Sequence, residues 1–211
     1  IGIYAAMYQS IAVMPVLIAS LVGGIAVLGW FDDRHSLRIR TRIIVQIAIA
    51  CTMVYLLAPS QGINIAGYRF EQPDWLLFVV LVVWIVWMTN LFNFMDGIDG
   101  LVATQSTIAA IVLGSWFHQA GAPELVSLNL ALAGALAGFS ILNWRPARVF
   151  LGDIGSLTLG IYFSVMGIIG WTVYSLPVEA FVLLYGVMLC DTSVTLAVRI
   201  FKGERWWEAH S

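Results

Sequence analysis

The chain has 211 residues, of which 61% are hydrophobic and 10% charged, too few polar side chains to cover a soluble globule of this size. With a mean hydropathy of +0.92 it belongs to the integral membrane class. A formal net charge of −2 excludes a broadly basic surface of the kind that binds nucleic acid.

A bilayer core requires about 20 apolar residues per helix, and on that template spans fall near 11–31, 43–58, 75–92, 101–117, 125–142, 156–172 and 178–200. The expected fold class is therefore all-α, a polytopic transmembrane helical bundle of about seven spans. No linker, internal repeat or low-complexity tract divides it, so 1–211 reads as a single integral-membrane domain. The chain starts at Ile1 with no charged leader and cleavage site, and stops just after a polar, aromatic segment. On that basis it is expected to be a fragment truncated at both ends. Cys51 and Cys190 lie in apolar runs and are expected to be free thiols.

The first span ends in GWFDDRHSL, where Asp32 and Asp33 are adjacent. A polar helix end with Arg34 as counter-ion is the plain explanation; a general base or a cation site is the chemical one, because neighbouring carboxylates raise each other's pKa. The following loop carries Arg34, Arg38, Arg40 and Arg42. The third span ends in NLFNFMDGIDGL, residues 90–101, in which Asn90, Asn93 and Asp96 recur every three residues and Gly97 and Gly100 permit a turn. Such oxygen donors suit Mg²⁺, which takes one or two protein oxygens and keeps water or phosphate for the rest. Simple capping of the span is the alternative. The spacing does not meet the EF-hand frame.

The fifth span is followed by Arg145 and Arg148 and then by VFLGDIGSLTLG, residues 149–160. Asp153 there is flanked by Gly152 and Gly155, with Ser156 expected to cap the sixth span and the helix N-terminus offering N–H groups to an anion. Asp191 lies within the seventh span, where a carboxylate is either functional or a polar lock to another helix. Trp206 and Trp207 in the tail suit an interfacial belt. His35 and His118 have no partner that the pattern identifies.

Loop parity provides a check on this count. Arg34, Arg38, Arg40, Arg42, Arg145, Arg148, Arg199, Lys202 and Arg205 all fall on one face, leaving only Arg69 of the ten basic residues on the other. Basic loops are cytoplasmic, and Asp32, Asp33, Asp96, Asp99 and Asp153 share their face. A transporter would be expected to show polar residues along its spans or paired broken helices in two halves, and neither pattern is present. A purely structural subunit has no need of Gly-flanked Asp in several loops of one face.

GWFDD, NLFNFMDGIDGL, FLGDIGSLTLG and a basic GERWWEAH tail, in that order, resemble the polyprenyl-phosphate N-acetylhexosamine-1-phosphate transferases, the MraY/WecA superfamily or glycosyltransferase family 4. The resemblance runs from about residue 22 to residue 211. It implies transfer of a sugar 1-phosphate from a UDP-N-acetylhexosamine to undecaprenyl or another polyprenyl phosphate, with release of UMP. Mg²⁺ is the implied cofactor, with Mn²⁺ as an alternative, and the bacterial inner membrane the implied location, with the site cytoplasmic. Partners are then the two substrates, the membrane and a second copy in a homodimer, with no nucleic acid.

By the same resemblance Asp32, Asp33 and Asp153 are catalytic, and Asn93 and Asp153 are metal positions. Asn90, Asp96, Asp99, Arg40, Arg42 and His210 bind substrate, and Phe150 stacks on uracil. Ser36 stands where the muramoyl-pentapeptide branch has Lys. With Asp191 and the tail, this places the chain nearer the branch that starts O-antigen and related polysaccharides. The peptidoglycan enzyme is the alternative.

Overall fold

The computed structural model describes residues 13–57, 63–65, 68–70 and 74–202. Helix α1 (Val13–His35) is followed by α2 (Ile39–Leu57), strands β1 (Ile63–Ile65) and β2 (Tyr68–Phe70), and then α3 (Asp74–Met95), α4 (Leu101–Gln119), α5 (Pro123–Asn143) and α6 (Gly152–Tyr174). Two shorter helices, α7 (Val178–Leu184) and α8 (Gly186–Phe201), complete the described chain. The first six expected spans each have their helix, and the seventh, 178–200, corresponds to a pair of helices. One addition is a small antiparallel hairpin in which Asn64 opposes Arg69. It joins the ends of α2 and α3 opposite the polar loops.

Among the described residues five helices, α2 to α6, are long and apolar enough to cross a bilayer, and α7 with α8 would make a sixth if the bent pair is one span. Helix α1 has 23 residues, about 34 Å at 1.5 Å per residue. Side chains such as Val83, Ile141 and Leu183 are exposed on the outer faces, as lipid-facing surface requires.

Helix α6 is the axis of the bundle. Every residue from Leu159 to Gly170 is buried, the mark of a helix enclosed on all sides. Helices α1 and α3 both pack closely on it, and glycine permits each contact. A Cβ on Gly160 would lie 2.7 Å from the Met88 carbonyl oxygen, and one on Gly29 would lie 2.5 Å from Ile154 Cα. Small residues at such crossings let helix backbones approach within a membrane.

The expected last span, 178–200, is not one straight helix. It bends by 67° between α7 and α8, where Tyr185 departs from helical geometry. The Tyr185 ring is fully buried, with centroid distances of 6.3 Å to Phe92 and 5.9 Å to Phe163. Gln105 Nε2 of α4 donates to the Leu184 carbonyl at 2.8 Å. A backbone acceptor freed by the break thus has a partner, as a low-dielectric setting demands. Only this bent pair occurs among the described residues, not the two expected of a repeat-built transporter. Asp191, on α8, is exposed rather than locked to a neighbouring helix.

Candidate functional site

The end of α1, the start of α2, the end of α3 and the start of α6 meet at one end of the bundle. Asp32 is buried there; its Oδ1 accepts the Leu37 N–H at 2.8 Å and its Oδ2 pairs with Arg42 Nε at 2.9 Å. One carboxylate therefore holds the turn between α1 and α2 and orients the Arg42 guanidinium. Arg42 Nη2 donates in turn to Asn93 Oδ1 at 3.1 Å, across 51 residues of sequence. The Asn93 amide nitrogen faces the other way, donating to Asp153 Oδ1 and to Ser156 Oγ.

Asp33 closes the corner from the opposite side. Its Oδ1 accepts the Asp153 N–H at 2.9 Å and its Oδ2 the Ile154 N–H at 3.1 Å. These are N–H groups of the first turn of α6, so a carboxylate from α1 satisfies donors that the helix itself leaves orphaned and sits at the positive end of its dipole. Gly152, at φ 63°, places its α-carbon so close that a Cβ would meet Asp33 Oδ2 at 3.0 Å. Ser156 is not the helix cap that the sequence suggests. The helix begins at Gly152, and the Ser156 hydroxyl, one turn in, donates to the Gly152 carbonyl.

Four carboxylates, Asp32, Asp33, Asp96 and Asp153, share this region. Asp96, in the turn after α3, is pushed up to about 7 by burial and then by the negative charges of Asp153 and Asp33. Asp32, in the polar last turn of α1 beyond the apolar stretch, is raised by burial and by a hydrogen bond with the Asp153 carboxyl, against the lowering effect of Arg42. Uncompensated negative potential of this kind suits a cation. Among the described residues no three His, Cys, Asp or Glu side chains converge on one point. Hard oxygen donors in a loose, water-accessible set still fit Mg²⁺, which keeps most of its water or phosphate ligands.

Beside this cluster a second arrangement joins the turn after α3 to the loop before α6. Asp99 Oδ2 accepts the Ala147 N–H at 3.1 Å, and Asn143 Oδ1 accepts the Gly100 N–H at 3.0 Å. Phe150 projects from the same loop, 65% exposed. Asn143 was not among the residues that the sequence pattern singles out; its only signal is a polar side chain at the end of an apolar span.

The remaining expected site residues are less convergent. Asn90 lies a turn deeper in α3, donating to Gln46 Oε1 and to the Val86 carbonyl, each at 2.7 Å, so it joins α3 to α2 within the bundle. Arg40 is exposed at the start of α2. His210 lies outside the described residues.

Fold and site together define a multi-pass membrane protein with a carboxylate-rich polar cluster at one end. Residues 13–171 match the family Glycosyl transferase family 4, and the chain belongs to that family. It is 31% identical over 189 residues to the "Probable undecaprenyl-phosphate N-acetylglucosaminyl 1-phosphate transferase" of Bacillus subtilis, covering 84% of this chain and 51% of the relative. It is also 31% identical over 204 residues to a phospho-N-acetylmuramoyl-pentapeptide-transferase of Synechocystis sp., covering 90% of this chain and 54% of the relative. A phospho-N-acetylmuramoyl-pentapeptide-transferase of Moorella thermoacetica is 45% identical over a shorter stretch of 83 residues, 39% of this chain and 24% of the relative. The chain spans about half the length of the first two relatives.

Proposed function

We propose that the protein transfers N-acetylhexosamine 1-phosphate from a UDP-sugar to a polyprenyl phosphate, undecaprenyl phosphate in the first instance, and releases UMP. The reading rests on the Asp32–Arg42–Asn93–Asp153 network, which draws segments remote in sequence into one anion-handling corner. In the reaction an oxygen of the lipid phosphate attacks the sugar-bearing phosphorus of the UDP-sugar. The phosphoanhydride bond breaks and its electrons leave on UMP. Both substrates are anionic, so the barrier falls when their charge is spread over fixed positive groups.

Arg42 is such a group, held in place at two points by Asp32 and Asn93. Asp33 is the exposed member of the acidic pair and the one an incoming lipid phosphate can reach; Asp32 is buried behind it. We assign to Asp33 the positioning of that phosphate and acceptance of any proton it still carries. Phe150 offers an exposed ring for uracil, and Asp99 accepts the Ala147 N–H of the loop that carries it.

Asp153 and Asp96 are the residues we assign to Mg²⁺. Asn93 acts chiefly by orienting Asp153, since its oxygen is engaged by Arg42. When bound, the ion neutralises pyrophosphate charge and polarises the P–O bonds. The basic-residue asymmetry supports a cytoplasmic location for this end of the bundle.

Ser36, Asp191 and the tail favour the branch that starts O-antigen and related polysaccharides. The similarity to both kinds of relative keeps the peptidoglycan enzyme as the second reading. A panel of radiolabelled UDP-N-acetylhexosamines, including UDP-N-acetylmuramoyl pentapeptide, incubated with undecaprenyl phosphate and the full-length protein in nanodiscs, tests both. Label should pass into the lipid phase with stoichiometric UMP in a Mg²⁺-dependent manner. Transfer from the muramoyl substrate alone selects the second reading, and transfer from none refutes both.

A further inference from the structure

We propose that Asn143 is the positioning residue that locks the two nucleotide-side segments, 96–100 and 144–151, into a single unit. The proposal rests on the phosphotransferase reading above. Asn143 is the last residue of α5 and only 5% exposed. Its carbonyl oxygen accepts the Gly100 N–H at 3.0 Å, and its amide nitrogen donates to the Val149 carbonyl at 2.8 Å. The two ends of one short, uncharged side chain thus hold the turn that carries Asp96 and Asp99 and the loop that carries Phe150, directly beside the peptide entering Phe150.

Two further contacts belong to the same unit. Asp99 Oδ2 accepts the Ala147 N–H at 3.1 Å, and the Arg148 N–H closes the loop on the Leu142 carbonyl at 2.8 Å. Gly100, at φ 75°, brings its α-carbon against the Trp144 ring, which a Cβ would meet at 3.4 Å. The position calls for a side chain that accepts from one partner and donates to the other. Asp keeps the acceptor for Gly100 but loses the donor for Val149 and adds a negative charge at a position only 5% exposed. Leu offers neither group. Asp leaves the part-buried Val149 carbonyl without this partner, and Leu leaves the buried Gly100 N–H unpaired as well.

The consequence is a division of labour at the site. The Asp32–Arg42–Asn93–Asp153 network sets the phosphate corner, and Asn143 sets where Phe150 stands relative to Asp96 and Asp99. Loss of the Asn143 bonds should therefore affect nucleotide capture while sparing the lipid.

The test uses the full-length protein in nanodiscs. Asn143→Asp should raise the UDP-sugar KM on the order of tenfold, the size expected for one lost hydrogen bond, and leave the polyprenyl phosphate KM within about twofold. In a Phe150→Ala background the same substitution should have little further effect on the UDP-sugar KM, because Asn143 acts through Phe150; double-mutant coupling reads this directly. Equal rises in both KM values, or full additivity with Phe150→Ala, would overturn the proposal.

Hydrogen–deuterium exchange supplies a readout that does not depend on turnover. Asn143→Ala should deprotect Gly100 and residues 147–150 together, with α1 and the first turn of α6 unchanged. Deprotection of one segment without the other, or loss of protection throughout the bundle, would reject the locking role. Coupled deprotection in Asn143→Ala, together with a wild-type protein that transfers no sugar phosphate, would refute the function and leave the lock standing.

Discussion

Gly29→Ala offers the sharpest perturbation of the site without touching a polar group. An ideal Cβ at residue 29 lies 2.5 Å from Ile154 Cα and 2.6 Å from its nitrogen, where ordinary contacts begin at 3.4 Å. The obstructing atoms are backbone, so no side chain can rotate aside, and α1 must move from α6 by about 1 Å. Asp33, one helical turn further along α1, shares that movement. Its bonds to the Asp153 and Ile154 N–H groups, now 2.9 and 3.1 Å, stretch to about 4 Å, beyond hydrogen-bonding range. Overpacking costs about 1–3 kcal/mol and loss of the anionic cap about 1 kcal/mol more. Displacement of the reacting groups by about 1 Å is worth on the order of a hundredfold in rate.

Gly23→Ala is the matched control, since a Cβ there meets nothing within 4 Å and alanine favours helix. Thermal unfolding in detergent and the turnover rate should both fall for Gly29→Ala and hold for Gly23→Ala. Equal behaviour of the two variants would refute the idea that close approach of α1 and α6 builds the site.

Asp153→Asn keeps shape and removes charge, and should lower the rate on the order of a hundredfold or more; retained Mg²⁺-dependent turnover would remove Asp153 from the metal assignment and leave Asp96. Phe150→Ala should raise the UDP-sugar KM far more than the lipid KM, and equal effects would count against stacking. Asp96 has its carboxyl raised from 3.8 to about 7 by burial and neighbouring charge, so below pH 7 the folded state binds more protons than the unfolded one. Stability measured in a chelator should therefore fall as pH rises from about 4 to 7 and level off above. Asp96→Asn should flatten that slope, and an unchanged slope would remove Asp96 as its source.

Membrane class, the places of the first six helices and the gathering of acidic loops at one end were legible in the amino-acid order, because each depends on local quantities. Twenty apolar residues cross a bilayer wherever they occur, and alternating spans send 32–42, 93–100 and 143–155 to the same face regardless of how the helices pack. The sites of interest were visible for the same reason: Asp32, Asp33, Asn93, Asp96 and Asp153 interrupt hydrocarbon-rich runs. What those side chains hold was decided only by tertiary structure. Asp33 on the first turn of α6, Arg42 between Asp32 and Asn93, and Asn90 turned inward to Gln46 all depend on how helices cross.

The close approaches of α1 and α3 to α6 are made at Gly29 and Gly160, residues that composition and hydropathy cannot distinguish from any other glycine in a span. The bend at Tyr185 has a similar origin, because an apolar run continues through it unbroken and only a buried ring and a donor from another helix, Gln105, stabilise the departure. Asn143 shows the difference most plainly. In sequence it is one amide at the end of a greasy segment; in the folded chain its two ends meet partners 43 residues before it and 6 after it, and that pairing exists only once α3, α5 and α6 have been brought to the same end of the bundle.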